Sequence, residues 1–113
     1  MMAGENMENY SDRRVFERFN VCLPVKFIDL VENQEGCAET CDVSAKGLCL
    51  ELYNEVKPAT SMELWLELPD KGGPFYTRGR VVWANQVQPK LWHTGISLEK
   101  AELMGLARIF RRT

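Results

Sequence analysis

Residues 61–68 read SMELWLEL, and their alternation constrains the fold more than any other feature of the chain. Met62, Leu64, Leu66 and Leu68 fall on one face, Glu63, Trp65 and Glu67 on the other. Side chains of an extended backbone point to opposite faces in turn, so the segment is a strand with one buried side. Such a strand needs partners, and the sequence offers five. Residues 19–30 (FNVCLPVKFIDL) are rich in Val, Phe and Ile, with Pro24 marking an edge or a bulge. After a turn at 32–36, residues 37–43 and 47–52 read as two short strands joined by Ser44-Ala45-Lys46-Gly47. A loop at 54–60 leads into the alternating strand. The turn formers of 69–74 (PDKGGP) then separate it from the long run 75–87, which makes a hairpin. Residues 92–98 (WHTGISL) are the sixth strand, whose Gly95 implies a bulge or a close approach to the backbone.

From Glu99 to Arg111 the period changes: Leu103, Leu106, Ala107 and Phe110 are spaced as the apolar stripe of a helix. Ser97 is placed to cap it, and Arg108, Arg111 and Arg112 suit its negative end. The predicted fold class is therefore all-β, a six-stranded antiparallel barrel with a C-terminal helix against one opening. Residues 1–12 are polar and acidic and read as a flexible tail, which leaves 13–113 as a single domain. With 113 residues, 45% of them hydrophobic, the chain can build one modest core.

A formal net charge of −2 argues against polymeric DNA or RNA as the main partner, because neutralising many phosphates requires a broad excess of Lys and Arg. A small anion needs only a local basic cluster. No stretch reaches the roughly 18 to 20 apolar residues of a membrane helix, and the N-terminus lacks the basic and apolar regions of a signal peptide. The expectation is a cytoplasmic protein with free thiols, in which Cys22 and Cys49 act as small core residues.

Two constellations carry chemistry. The first is Arg13-Arg14-Val15-Phe16-Glu17-Arg18, where the four-residue spacing of Arg14 and Arg18 lets two guanidinium groups converge on one ligand. A guanidinium fork binds phosphate bidentately, grips the O6 and N7 edge of guanine, and stacks on bases. The second is Asp42-Val43-Ser44-Ala45-Lys46-Gly47. On extended backbone Asp42 and Ser44 share a face, and Gly47 can take the positive φ of a sharp turn. An ionised carboxylate offers acceptors only, which matches the N1–H and N2–H₂ donors of guanine. Each motif alone has an ordinary explanation, a solvated basic patch or an Asx or Ser turn.

Together, in this order and at this separation, they resemble the signature of the PilZ domain family, RxxxR before the first strand and (D/N)xSxxG some way after it. The resemblance extends to LPVKF, GLCLEL, MELWLELP, RGRVVW and GISL, and covers roughly Arg13 to Phe110. It implies a barrel whose outer surface binds cyclic di-GMP and which catalyses nothing. Arg14 and Arg18 would contact phosphate and guanine, and Asp42, Ser44 and Gly47 would form the barrel side of the site. Arg13, directly before RxxxR, is associated in this family with two intercalated ligand molecules per chain. The sequence departs from the common pattern at Leu98, where the family often has an aromatic residue.

The resulting expectation is a second-messenger receptor in which ligand orders a flexible three-arginine arm, creating a surface for a separate downstream effector. The alternative is a PilZ-like adaptor that binds no nucleotide, which would predict loss of one of the motifs. No metal is expected, since Cys37-x₃-Cys41 is supported only by His93, and no residue is placed to activate Ser44 as a nucleophile. Trp65, Trp83 and Trp92 are expected in the core and on the barrel surface.

Overall fold

The computed structural model describes residues 18–70 and 72–99. Within them lie six strands: β1 (Pro24–Asp29), β2 (Gln34–Val43), β3 (Gly47–Leu52), β4 (Ser61–Leu66), β5 (Phe75–Gln88) and β6 (Leu91–Leu98). Every pairing is antiparallel, and the sheet closes in the order β1-β2-β3-β6-β5-β4, with β4 returning to β1. Closure leaves no unpaired edge, which a lone alternating strand could not achieve. The expected helix at the C-terminus lies outside the described residues.

Alternation decides what fills the barrel. Met62, Leu64 and Leu66 of β4 are buried, as are Leu48, Leu50 and Leu52 of β3, Val25 of β1, and Val81 and Ile96 across the β5–β6 pair. Burying each of these side chains contributes roughly 1.5 to 3 kcal/mol against exposure. The expected face of β4 is thus the interior face, with Glu63 and Trp65 only partly covered on the other side. Cys22 departs from expectation. It is exposed, because the chain has not yet entered β1 there and the neighbouring Leu23 points inward instead.

The segment before β1 is nevertheless fixed. Phe19 and Val43 exchange both backbone hydrogen bonds, at 2.8 and 2.9 Å. Thr40, only 1% exposed, accepts from the Leu23 N–H through Oγ1 and donates to the Val21 carbonyl. The chain from residue 18 to 23 therefore runs along β2 before turning into the barrel at Pro24, the first residue of β1.

The β1–β2 hairpin turns on Asp29, whose Oδ1 accepts from the backbone N–H groups of Val31 and Glu32, while Asn33 takes φ 58°. That is Asx-turn chemistry with a residue type that tolerates the left-handed region. β2 begins earlier than the sequence pattern suggests, because Gln34 to Gly36 still pair with β1 although their side chains give no apolar alternation.

Thr94 is fully buried in β6, and its Oγ1 has no hydrogen-bond partner among the described residues. Burying an unpaired hydroxyl costs about 1 kcal/mol or more, whereas a methyl of the same size costs nothing comparable. Thr94→Val should raise Tm by about 4 to 8 °C in thermal unfolding. A fall in Tm would show that the hydroxyl has a partner in solution.

Candidate functional site

β2 and β3 meet at Ser44, Ala45, Lys46 and Gly47. Ser44 N–H donates to the Gly47 carbonyl at 2.8 Å, and Ser44 Oγ lies 3.2 Å from both the N–H and the carbonyl of Gly47. It also accepts from the Lys46 N–H. The Ser44 side chain is buried, and its hydroxyl is used inside its own turn. Asp42 and Ser44 thus do not present a common face. Asp42 remains partly exposed on β2 while Ser44 folds into the connection.

Gly47 is required for a reason other than the expected one. Its φ is not positive. A Cβ on Gly47 would lie 2.5 Å from the Ile96 carbonyl oxygen of β6, so glycine permits two backbones to approach where β3 and β6 pair. The sequence motif is therefore divided in its labour. Ser44 and Gly47 shape the turn, and Asp42 carries the accessible chemistry.

The partner of Asp42 is Arg18. Its Nε donates to Asp42 Oδ1 at 2.7 Å, and a terminal guanidinium nitrogen reaches the same oxygen at 2.7 Å. The antiparallel Phe19–Val43 bridge sets this geometry, since it leaves residue 18 diagonal to residue 42 across the pair, within reach of a long arginine side chain. The two side chains retain 49% and 27% exposure, so the pair is solvated and contributes no more than about 1 kcal/mol to the fold. Its groups are therefore available at low cost. Of the expected three-arginine arm, Arg18 is docked on the barrel through Asp42. Arg13 and Arg14 lie outside the described residues.

Arg18 also borders a shallow groove of about 180 Å³ whose walls include Lys46, Gly47, Val82, Trp83 and Ser97. Trp83 follows a register shift in β5 and covers Gly95, where a Cβ would sit 2.2 Å from the indole Nε1. The glycine in β6 thus marks both expected features: a bulge opposite and a close approach. Trp83 and Val82, 41% and 50% exposed, give the groove an aromatic and an aliphatic surface beside two cations, a combination suited to a base attached to phosphate. Trp83 carries a signal that alternation could not give, because the bulge changes which face it occupies.

A larger cavity of about 620 Å³ opens elsewhere, lined by Asp29, Glu32, Glu35, Glu55 and Lys57 among others. Four carboxylates against one ammonium make it a poor receptacle for an anion, so volume alone does not locate the site.

Comparison with known proteins agrees with this architecture. The family model of the PilZ domain matches residues 12–107. No curated protein sequence matches the chain. Among solved structures, the PilZ domain of YcgR from Escherichia coli with c-di-GMP superposes with a TM-score of 0.66 at 14% identity, covering 86% of this chain and 88% of that one. The inhibitor of motility MotI (DgrA) of Bacillus subtilis gives 0.66 at 17% identity, covering 86% of this chain and 48% of its own. This chain therefore spans about half the length of that inhibitor. The PlzA protein of Borreliella burgdorferi in complex with c-di-GMP gives 0.55 at 14% identity, over 93% of this chain and 43% of that one. At these identities the likeness is one of fold. The family rests on the sequence match, which spans nearly the whole chain: this protein belongs to the PilZ domain family.

Proposed function

We propose that the protein is a receptor for cyclic di-GMP, which it binds in the groove beside Arg18 and Asp42 without transforming it. The observation that carries the proposal is the convergence of Arg18 and Asp42, the two halves of the bipartite motif, in one solvated ion pair beside that groove. An arginine and an aspartate together complement guanine, which shows acceptors on one edge and donors on another. Solved PilZ domains with c-di-GMP support the choice of ligand.

In this reading Arg18 and Asp42 are held ready by the Phe19–Val43 bridge, and ligand takes over hydrogen bonds that they now spend on each other. Ser44 and Gly47 contribute the shape of the turn beneath the ligand. Arg13 and Arg14 extend the cationic arm over it. Each charge-assisted hydrogen bond contributes roughly 1.5 to 3 kcal/mol, so a few of them suffice for about micromolar affinity after the cost of ordering the arm. The domain comprises residues 13–113, with a C-terminal helix after β6. It acts in the cytoplasm, and its output passes through a separate protein effector that recognises the ligand-bound surface.

Isothermal titration with cyclic di-GMP, with cyclic di-AMP and GTP as controls, tests the assignment. It should give selective binding of cyclic di-GMP at two molecules per chain. Two intercalated ligands bring four phosphate charges together, and Arg13 supplies the extra cation that offsets their repulsion. Arg13→Leu should lower the stoichiometry to one while leaving substantial affinity. Saturation of the parent at one ligand would remove that role from Arg13, and no heat with any dinucleotide would overturn the receptor assignment.

A further inference from the structure

Three strands bring together donor atoms that no local motif announces. Cys41 Sγ, Cys49 Sγ and a ring nitrogen of His93 all lie within 4.8 Å of one another. Cys41 owes its position to a bulge: Thr40 pairs with Leu50 and Asp42 with Cys49, so Cys41 is the extra residue in β2. Cys49 alternates with the inward-facing Leu48 and Leu50. His93 belongs to β6, where it pairs with Glu51, and Glu51 is two residues beyond Cys49 on the same face of β3. The pair that the sequence suggests is not the one assembled. Cys37 is four residues from Cys41 along β2, about 13 Å on an extended strand, and sits opposite Lys26.

We propose that Cys41, Cys49 and His93 form a binding site for a zinc-class divalent cation, with a fourth position open to solvent. Two thiolates and an imidazole are a donor set of tetrahedral zinc, and they select against hard cations such as magnesium. Metal bonds of about 2.0 to 2.3 Å in a tetrahedron place donors roughly 3.3 to 3.8 Å apart, so the cluster needs only a small side-chain closure. The surroundings fit. Glu51 Oε2 lies 3.2 Å from His93 Nε2, so with Nδ1 as the ligating nitrogen this carboxylate holds the imidazole in orientation. The site does not depend on the assignment of the dinucleotide groove.

Cobalt titration of the full chain, reduced and stripped of metal, tests the proposal. One equivalent of Co²⁺ should produce the thiolate-to-cobalt charge-transfer band and the intense visible bands of a tetrahedral site, and one equivalent of Zn²⁺ should bleach them. Cys41→Ser and His93→Ala should each weaken zinc binding at least tenfold in competition with a chromophoric chelator. Both positions are partly exposed, so these variants keep the test valid even where Cys49→Ser fails to fold. Cys22→Ser and Cys37→Ser, at exposed thiols outside the cluster, should bind zinc as the parent does. A folded, fully reduced parent that gives no charge-transfer band would overturn the proposal. So would a band that survives in both Cys41→Ser and His93→Ala.

Discussion

A Gly47→Ala variant should lose about 2 to 3 kcal/mol of stability and show a fall in Tm on the order of 10 °C or more in thermal unfolding. The added methyl meets the Ile96 carbonyl oxygen at 2.5 Å, and a backbone atom in a paired strand cannot rotate out of the way. Either β3 and β6 separate locally or the clash is absorbed by both ladders. Gly95→Ala provides the contrast. Its Cβ would come closer still, 2.2 Å from Trp83, but the obstacle is a side chain 41% exposed that can swing outward. It should cost less stability and displace Trp83 from the groove. If Gly47→Ala proves as stable as the parent, the close approach of β3 and β6 is wrong. The consequence for function is direct: reduced ligand binding by a Gly47 variant would report damage to the barrel, not loss of a contact.

The barrel was legible because its information is local. Period-two alternation in SMELWLEL and GLCLEL survives whatever surrounds it, and the Pro- and Gly-rich punctuation of 69–74 separates the strands. What was not legible depends on pairing. The hydrogen bonds between Phe19 and Val43 use backbone atoms, which leave no side-chain signature, so residues 19–23 looked like the start of a strand within the barrel. A one-residue bulge decided the positions of Cys41 and Asp42, and another decided that of Trp83. Gly47 was expected to take the positive φ of a sharp turn, and that it serves instead the close approach of β3 and β6 could be seen only with the partner strand in place. Likewise the cluster of Cys41, Cys49 and His93 exists only once β2, β3 and β6 are side by side.

Asp42→Ala should weaken cyclic di-GMP binding at least tenfold and erode its preference over cyclic di-AMP, as measured by titration calorimetry. The carboxylate is the group proposed to read the N1–H and N2–H₂ donors of guanine, and loss of such a pairing costs about 1 to 3 kcal/mol. Arg18→Ala should cost at least as much affinity, since a guanidinium contact to phosphate or to the guanine edge is charge-assisted. The apo protein should barely register either change in Tm, because the Arg18–Asp42 pair is solvated and nearly neutral to stability. The two effects should not add. Arg18 Nε and its terminal nitrogen both bond Asp42 Oδ1, so removing Asp42 also releases the arginine from its anchor, and each single variant already disturbs the other group. The double variant should therefore bind less weakly than the product of the single losses predicts. Strict additivity would mean that the pair plays no part in preparing the site, and an Asp42→Ala protein that still discriminates fully against cyclic di-AMP would exclude the carboxylate as the reader of guanine.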